Sequence, residues 1–157
     1  MRMTPEYLWN YQVKDNYYCG HCLSESGGSR SVKADIGHSL FSCPQLTLFL
    51  SKVYNFLTYE CKENINITEI EYILGYESKD NEGLNCFLLE LKQFIFYNYL
   101  PHKNLNIQFK FFINRIRRLI LKEKRYYSSQ NKIDYFFGKW HNYSEIYMIY
   151  GPDPLFS

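Results

Sequence analysis

Apolar residues recur at steps of three and four along most of the chain, the spacing of one face of an α-helix. Leu46, Phe49, Leu50, Val53, Phe56 and Leu57 predict a helix from about Pro44 to Tyr59. Leu84, Phe87, Leu88, Leu91, Phe94 and Ile95 predict a long helix over residues 82–100, stopped by Pro101. Phe109, Phe112, Ile113, Ile116, Leu119 and Ile120 predict the next over about 105–126, and Ile133, Phe136, Phe137 and Trp140 a last one over about 129–142. Thr68 and Glu71 have the spacing of a capping box, which starts a short helix through Leu74 that Gly75 ends. Thr4-Pro5-Glu6 is a further helix start, with a capping hydroxyl, a first-turn proline and an acid. No segment alternates strictly, so no strand is predicted. The pattern implies an all-α fold: one helical domain over residues 1–143 and an extended tail over 144–157, which ends in the proline-broken run YMIYGPDPLFS.

The 157 residues are enough for one core that needs no disulfides. No apolar run reaches the roughly 20 residues of a membrane helix; the greasiest, Phe87 to Leu100, is interrupted by Glu90 and Lys92. The N-terminal sequence lacks the apolar core of a signal peptide, which predicts an intracellular protein, nuclear or cytoplasmic, with no membrane partner. Phe, Tyr, Ile, Asn and Lys supply 66 residues, the bias of A/T-rich codons, so sixteen tyrosines alone are no argument for base stacking.

Within residues 1–60 lies the sharpest chemical signal. Cys19-Gly-His-Cys22 is followed by His38 and then Cys43. Two thiolates three positions apart grip one side of a metal, and a His and a Cys five positions apart close the other. Three sulfurs and an imidazole form the closed tetrahedral set that structural Zn²⁺ prefers. The Ser- and Gly-rich stretch around Gly27 and Gly28 lets the chain return. Cys61 and Cys86 do not fit this spacing and are expected in or near the core. His21, His102 and His141 are expected as bystanders.

Two other chemistries remain open for the same residues. Cys-Gly-His-Cys is similar to the active-site motif of protein disulfide isomerases, which would make the chain a thiol-disulfide oxidoreductase. The long helix that follows that motif and the βαβ pattern are both missing here. Alternatively the cysteines are simply buried apolar residues.

The formal charge of +2 hides an asymmetry: residues 1–44 are neutral, 45–83 carry −4 and 84–157 carry +6. On the helical period Arg115, Arg118, Lys122 and Arg125 form one stripe, flanked by Lys110, Arg117 and Lys124. Guanidinium forks suit phosphate oxygens, so these residues are the candidates for holding an RNA or DNA backbone. A merely solvated face, or a structural or protein-interaction module without nucleic-acid affinity, is the alternative.

Taken together, these residues resemble the C-terminal zinc-binding region of non-LTR (LINE-type) retrotransposon reverse transcriptases. The likeness runs through Arg2-Met3-Thr4-Pro5, Cys19-x-x-Cys22 and His38-Ser-Leu-Phe-Ser-Cys43-Pro44. It continues through Leu88 to Tyr99, Ile120-Leu121-Lys122-Glu123-Lys124 and Asn131-Lys132-Ile133 to Lys139-Trp140, covering residues 2–142. The resemblance implies a zinc unit on Cys19, Cys22, His38 and Cys43, followed by helices (68–143 here) that help a polymerase domain of the same element hold RNA or DNA. The loop between Cys22 and His38 is several residues longer than is usual in that family. No Asp-Asp dipeptide occurs, so the paired aspartates of the RNA-directed DNA polymerase are missing. The expectation is a non-catalytic module with no small-molecule substrate.

Overall fold

The computed structural model describes residues 19, 22, 35–63, 66–98 and 108–148. The expected helix start at Thr4, the Arg2-Met3-Thr4-Pro5 stretch of the resemblance, His21 and His102 lie outside these residues. Among the described residues there is no strand, and the fold is all-α.

The first predicted helix is continuous but changes pitch. A 3-10 turn, Pro44–Leu46, runs into α1, Thr47–Asn55, which continues as a π-helix, Phe56–Glu60. Next, α2, Glu69–Leu74, starts at Thr68, whose hydroxyl accepts from the Glu71 N–H while the Glu71 carboxylate accepts from the Thr68 N–H, the capping box the spacing predicts. It stops at Gly75, whose φ of 89° side chains rarely allow. Asn85 then clamps the peptide groups of Tyr76, accepting from its N–H and donating to its carbonyl, both at 2.7 Å.

Helix α3, Glu82–Asn98, buries Leu84, Phe87, Leu88, Leu91, Phe94 and Ile95, the predicted face. Helix α4, Phe109–Ser129, buries Phe112, Ile113, Ile116 and Ile120, and packs against α1, α3 and the helices that follow. The rings of Phe49, Phe87, Phe94 and Phe112 meet where α1, α3 and α4 come together, with Phe87 and Phe112 edge-on at 5.2 Å. A turn with Asn131 at φ 54° leads to α5, Ile133–Trp140. Gly83 lets α3 approach α5: a Cβ there would collide with the carbonyl oxygen of Lys139.

Two expectations change. Phe137, expected on the buried face of α5, is 44% exposed, because Phe136 and Trp140 take the inward positions. Residues 144–148, expected as the start of an extended tail, form a helix, α6, Ser144–Met148. Tyr143 and Ile146 are buried there, and α6 packs on α4, so apolar contacts hold residues that carry no strong helical pattern. Residues 149–157 lie outside the description. Cys61 is fully buried and Cys86 half-buried, both as expected.

Candidate metal centre and basic helix

The π-helix His38–Ser42 builds one half of the centre. Residues five apart on an α-helix point about 140° from each other, at 100° per residue. The wider π turn bonds residue i to i+5, and here the Cys43 N–H donates to the His38 carbonyl at 2.8 Å. His38 and Cys43 therefore turn toward the same side. Asp35 starts the turn, its carboxylate accepting from the His38 N–H at 2.7 Å. Pro44 then opens the next helix, which Pro at the first turn favours.

Cys19 and Cys22 close on this turn from outside it. Cys43 Sγ is 3.9 Å from Cys19 Sγ and 3.8 Å from Cys22 Sγ, and Cys22 Sγ is 3.4 Å from His38 Nε2. All four donor atoms lie within 4.8 Å of one another, and all four residues are buried. The arrangement can hold a metal ion. The hydrogen bond with Cys43, then burial and the neighbouring sulfurs, push the Cys19 thiol well above its ordinary pKa. Without a cation the Cys19 sulfur is therefore held protonated, and a metal binding there must displace that proton. His141, which is not among these four, is exposed and donates from Nδ1 to the Gly138 carbonyl, an ordinary helix-end histidine.

No family model matches this chain, and no curated protein or solved structure is significantly similar to it.

The seven cations of α4 do not share one environment. Arg118, Lys122 and Arg125 are exposed along one stripe, and Lys110 is exposed near the start of the helix. Arg115, expected in that stripe, turns to α3: its Nε donates to Glu90 at 2.6 Å and its Nη2 to Gln93 at 3.0 Å. Arg117, expected as an accessible flank, is 7% exposed and stands among the buried residues of the helix. Lys124 is half-buried, with its ammonium 6.0 Å from the Phe137 ring and 5.7 Å from the Tyr147 ring.

Glu123, the sole carboxylate of α4, faces α5. It accepts from Lys139 Nζ at 3.0 Å on both oxygens and from the Trp140 indole N–H at 2.7 Å. The pattern of charges alone did not show this. The signal available was that Glu123 lies on the same side of the helical period as Ile116 and Ile120, among the inward residues. Among the described residues no helix is long and apolar enough to cross a membrane.

Proposed function

We propose that this chain is a zinc-stapled helical module that holds the sugar-phosphate backbone of RNA or DNA and performs no catalysis of its own. The donor set supports zinc. A Zn–S bond of about 2.3 Å gives tetrahedral sulfur–sulfur edges of roughly 3.8 Å, and the two short edges here are 3.8 and 3.9 Å. Three thiolates and an imidazole fill four positions and leave none for a reacting water, as in structural sites. Thiols of this kind persist inside cells, where disulfides are rare.

The observation that carries nucleic-acid binding is the inward turn of Glu123. It keeps the helix's only carboxylate away from the side on which Arg118, Lys122 and Arg125 stand, so no acid of α4 stands among those exposed cations. The likeness to LINE-type reverse transcriptases supports the same assignment and an origin beside a polymerase domain, which an in-frame polymerase upstream in the genome would establish. A protein-docking module is the second reading, favoured by Ile70 and Leu74 of α2, 70% and 80% exposed.

Metal analysis of the purified chain should find one zinc per molecule. Binding to 20-nucleotide single strands and duplexes, measured across a salt series, tests the rest. Each phosphate contact contributes a slope of about 0.9 on duplex DNA and about 0.7 on a single strand. The combined Arg118→Ala, Lys122→Ala and Arg125→Ala variant should lower the slope by about 2 to 2.7, evenly across sequences, because phosphate contacts do not read bases. An unchanged slope, or no binding by the intact chain, overturns the nucleic-acid assignment.

A further inference from the structure

The turn between α4 and α5 carries an open cleft of about 330 Å³ lined by Tyr126, Tyr127, Gln130, Lys132 and Tyr135. Its rings are held in a fixed arrangement. Tyr127 lies 5.2 Å from Tyr126 and 4.9 Å from Tyr135, centre to centre, and the Tyr135 hydroxyl donates to Glu82 of α3. The turn beneath is equally tied: Lys132 N–H donates to the Tyr127 carbonyl at 2.8 Å and Gln130 N–H to the Tyr126 carbonyl at 3.1 Å. Yet Tyr126 is 59% and Tyr135 44% exposed, which leaves two aromatic surfaces facing solvent beside an exposed amide and an exposed ammonium.

We propose that this cleft receives one unpaired base of a single-stranded RNA or DNA, an inference that rests on the backbone-binding role of α4. Three features select such a guest. A π-face stacks on tyrosine whatever the base. The Gln130 amide offers both a donor and an acceptor to a base edge. The Lys132 ammonium suits the adjoining phosphate and opposes a cation, which otherwise would favour both tyrosine faces and the negative end of α4. Position adds a fourth. The exposed cations Arg118 and Lys122 lie on the same helix that ends at the cleft, and Lys122 stands one turn, about 6 Å, before Tyr126. A strand that follows α4 toward its C-terminus therefore reaches the cleft. A duplex can fill the cleft only by unstacking a base, so single strands are preferred.

The test uses the full chain and a single-stranded 20-mer carrying the fluorescent base 2-aminopurine, beside the matching duplex, at fixed salt. The intact protein should bind the single strand more tightly and quench its fluorescence. Tyr126→Ala and Tyr135→Ala should each weaken single-strand binding by about 5- to 150-fold, the range that base–aromatic stacking spans. Both should leave the salt slope unchanged, because neither removes a charge. Tyr135→Phe, which keeps the ring and loses the hydrogen bond to Glu82, should retain the quenching. If both alanine variants bind like the parent while the Arg118, Lys122 and Arg125 substitutions still flatten the slope, the cleft assignment is wrong and backbone binding stands. If the intact chain binds neither strand nor duplex, both fall. Displacement of the strand by tetramethylammonium at constant ionic strength would assign the cleft to a cation and overturn the proposal.

Discussion

Replacing Glu123 tests how α4 is oriented against α5, and with it which cations face outward. Lys139 is an amphipathic side chain held almost out of water: 6% of it is exposed, against 21% of Glu123. Its ammonium lies 5.1 Å above the Trp140 ring and has both Glu123 oxygens at 3.0 Å. Removing one partner of a buried ion pair costs about 3–5 kcal/mol, mostly because the other charge is left unpaired. The partial exposure of Glu123 places this case at the lower end. The Trp140 indole N–H would also lose its acceptor, at about 1–3 kcal/mol, though costs within one network do not add fully. Glu123→Ala should therefore destabilise the fold by about 3–4 kcal/mol. Glu123→Gln keeps an acceptor for the indole but still leaves the Lys139 charge unpaired, so it should cost only about 1 kcal/mol less. The double variant Glu123→Gln with Lys139→Met should recover part of that loss, because it leaves no buried charge.

Urea unfolding followed by tryptophan fluorescence reads these differences, and at about 2–4 °C per kcal/mol the alanine variant should lose about 6–16 °C of melting temperature. The pH dependence has a definite sign. Burial lowers the Lys139 pKa, but Glu123 and Cys86 more than offset it, and the group ends above its ordinary value. A lysine raised in the folded state contributes stability that is fully present below its unfolded pKa of about 10.4 and lost as pH rises through the folded value. In Glu123→Gln the alkaline loss should begin at lower pH. A change below about 0.5 kcal/mol for both single variants, typical of an exposed surface pair, would refute the inward orientation of Glu123.

Three further outcomes follow from the same structure. Cys61→Ser and Cys86→Ser should leave the metal content unchanged on elemental analysis, while Cys61→Ser loses about 1–3 kcal/mol for a hydroxyl placed in the core; metal loss in either would mean the donor set is misassigned. Apparent metal affinity, measured by competition with a chromophoric chelator, should fall steeply as pH drops from 8 to 6, by up to about tenfold per thiol per unit, because each ligating sulfur must give up a proton; an affinity independent of pH would exclude thiolate ligation. Gly83→Ala should destabilise by about 1–3 kcal/mol through the collision with the Lys139 carbonyl, whereas Gly138→Ala, where a new Cβ meets nothing within 4 Å, should be neutral or better in urea unfolding.

Local chemistry made the helices and the candidate metal donors legible before any contact was known. The capping box at Thr68, the stop at Gly75 and the apolar faces of α1 and α3 each depend on residues within a turn or two of one another, and a period of 3.6 registers them directly. The donors were legible because thiolate and imidazole pairs a few residues apart have few other uses together. The widened turn at His38–Ser42 was not legible, since it exists to bring His38 and Cys43 toward two sulfurs from a distant part of the chain. The basic helix divides in the same way. Periodicity assigns Arg115 and Arg118 to one stripe, but an angle on a helix does not say which neighbour stands there. Glu90 of α3 claims Arg115, the core covers Arg117, and two rings take Lys124. Phe137 and the residues of α6 were misjudged for the same reason. Whether a side chain meets water or another helix is set by chain segments far away in sequence, and only their packing decides it.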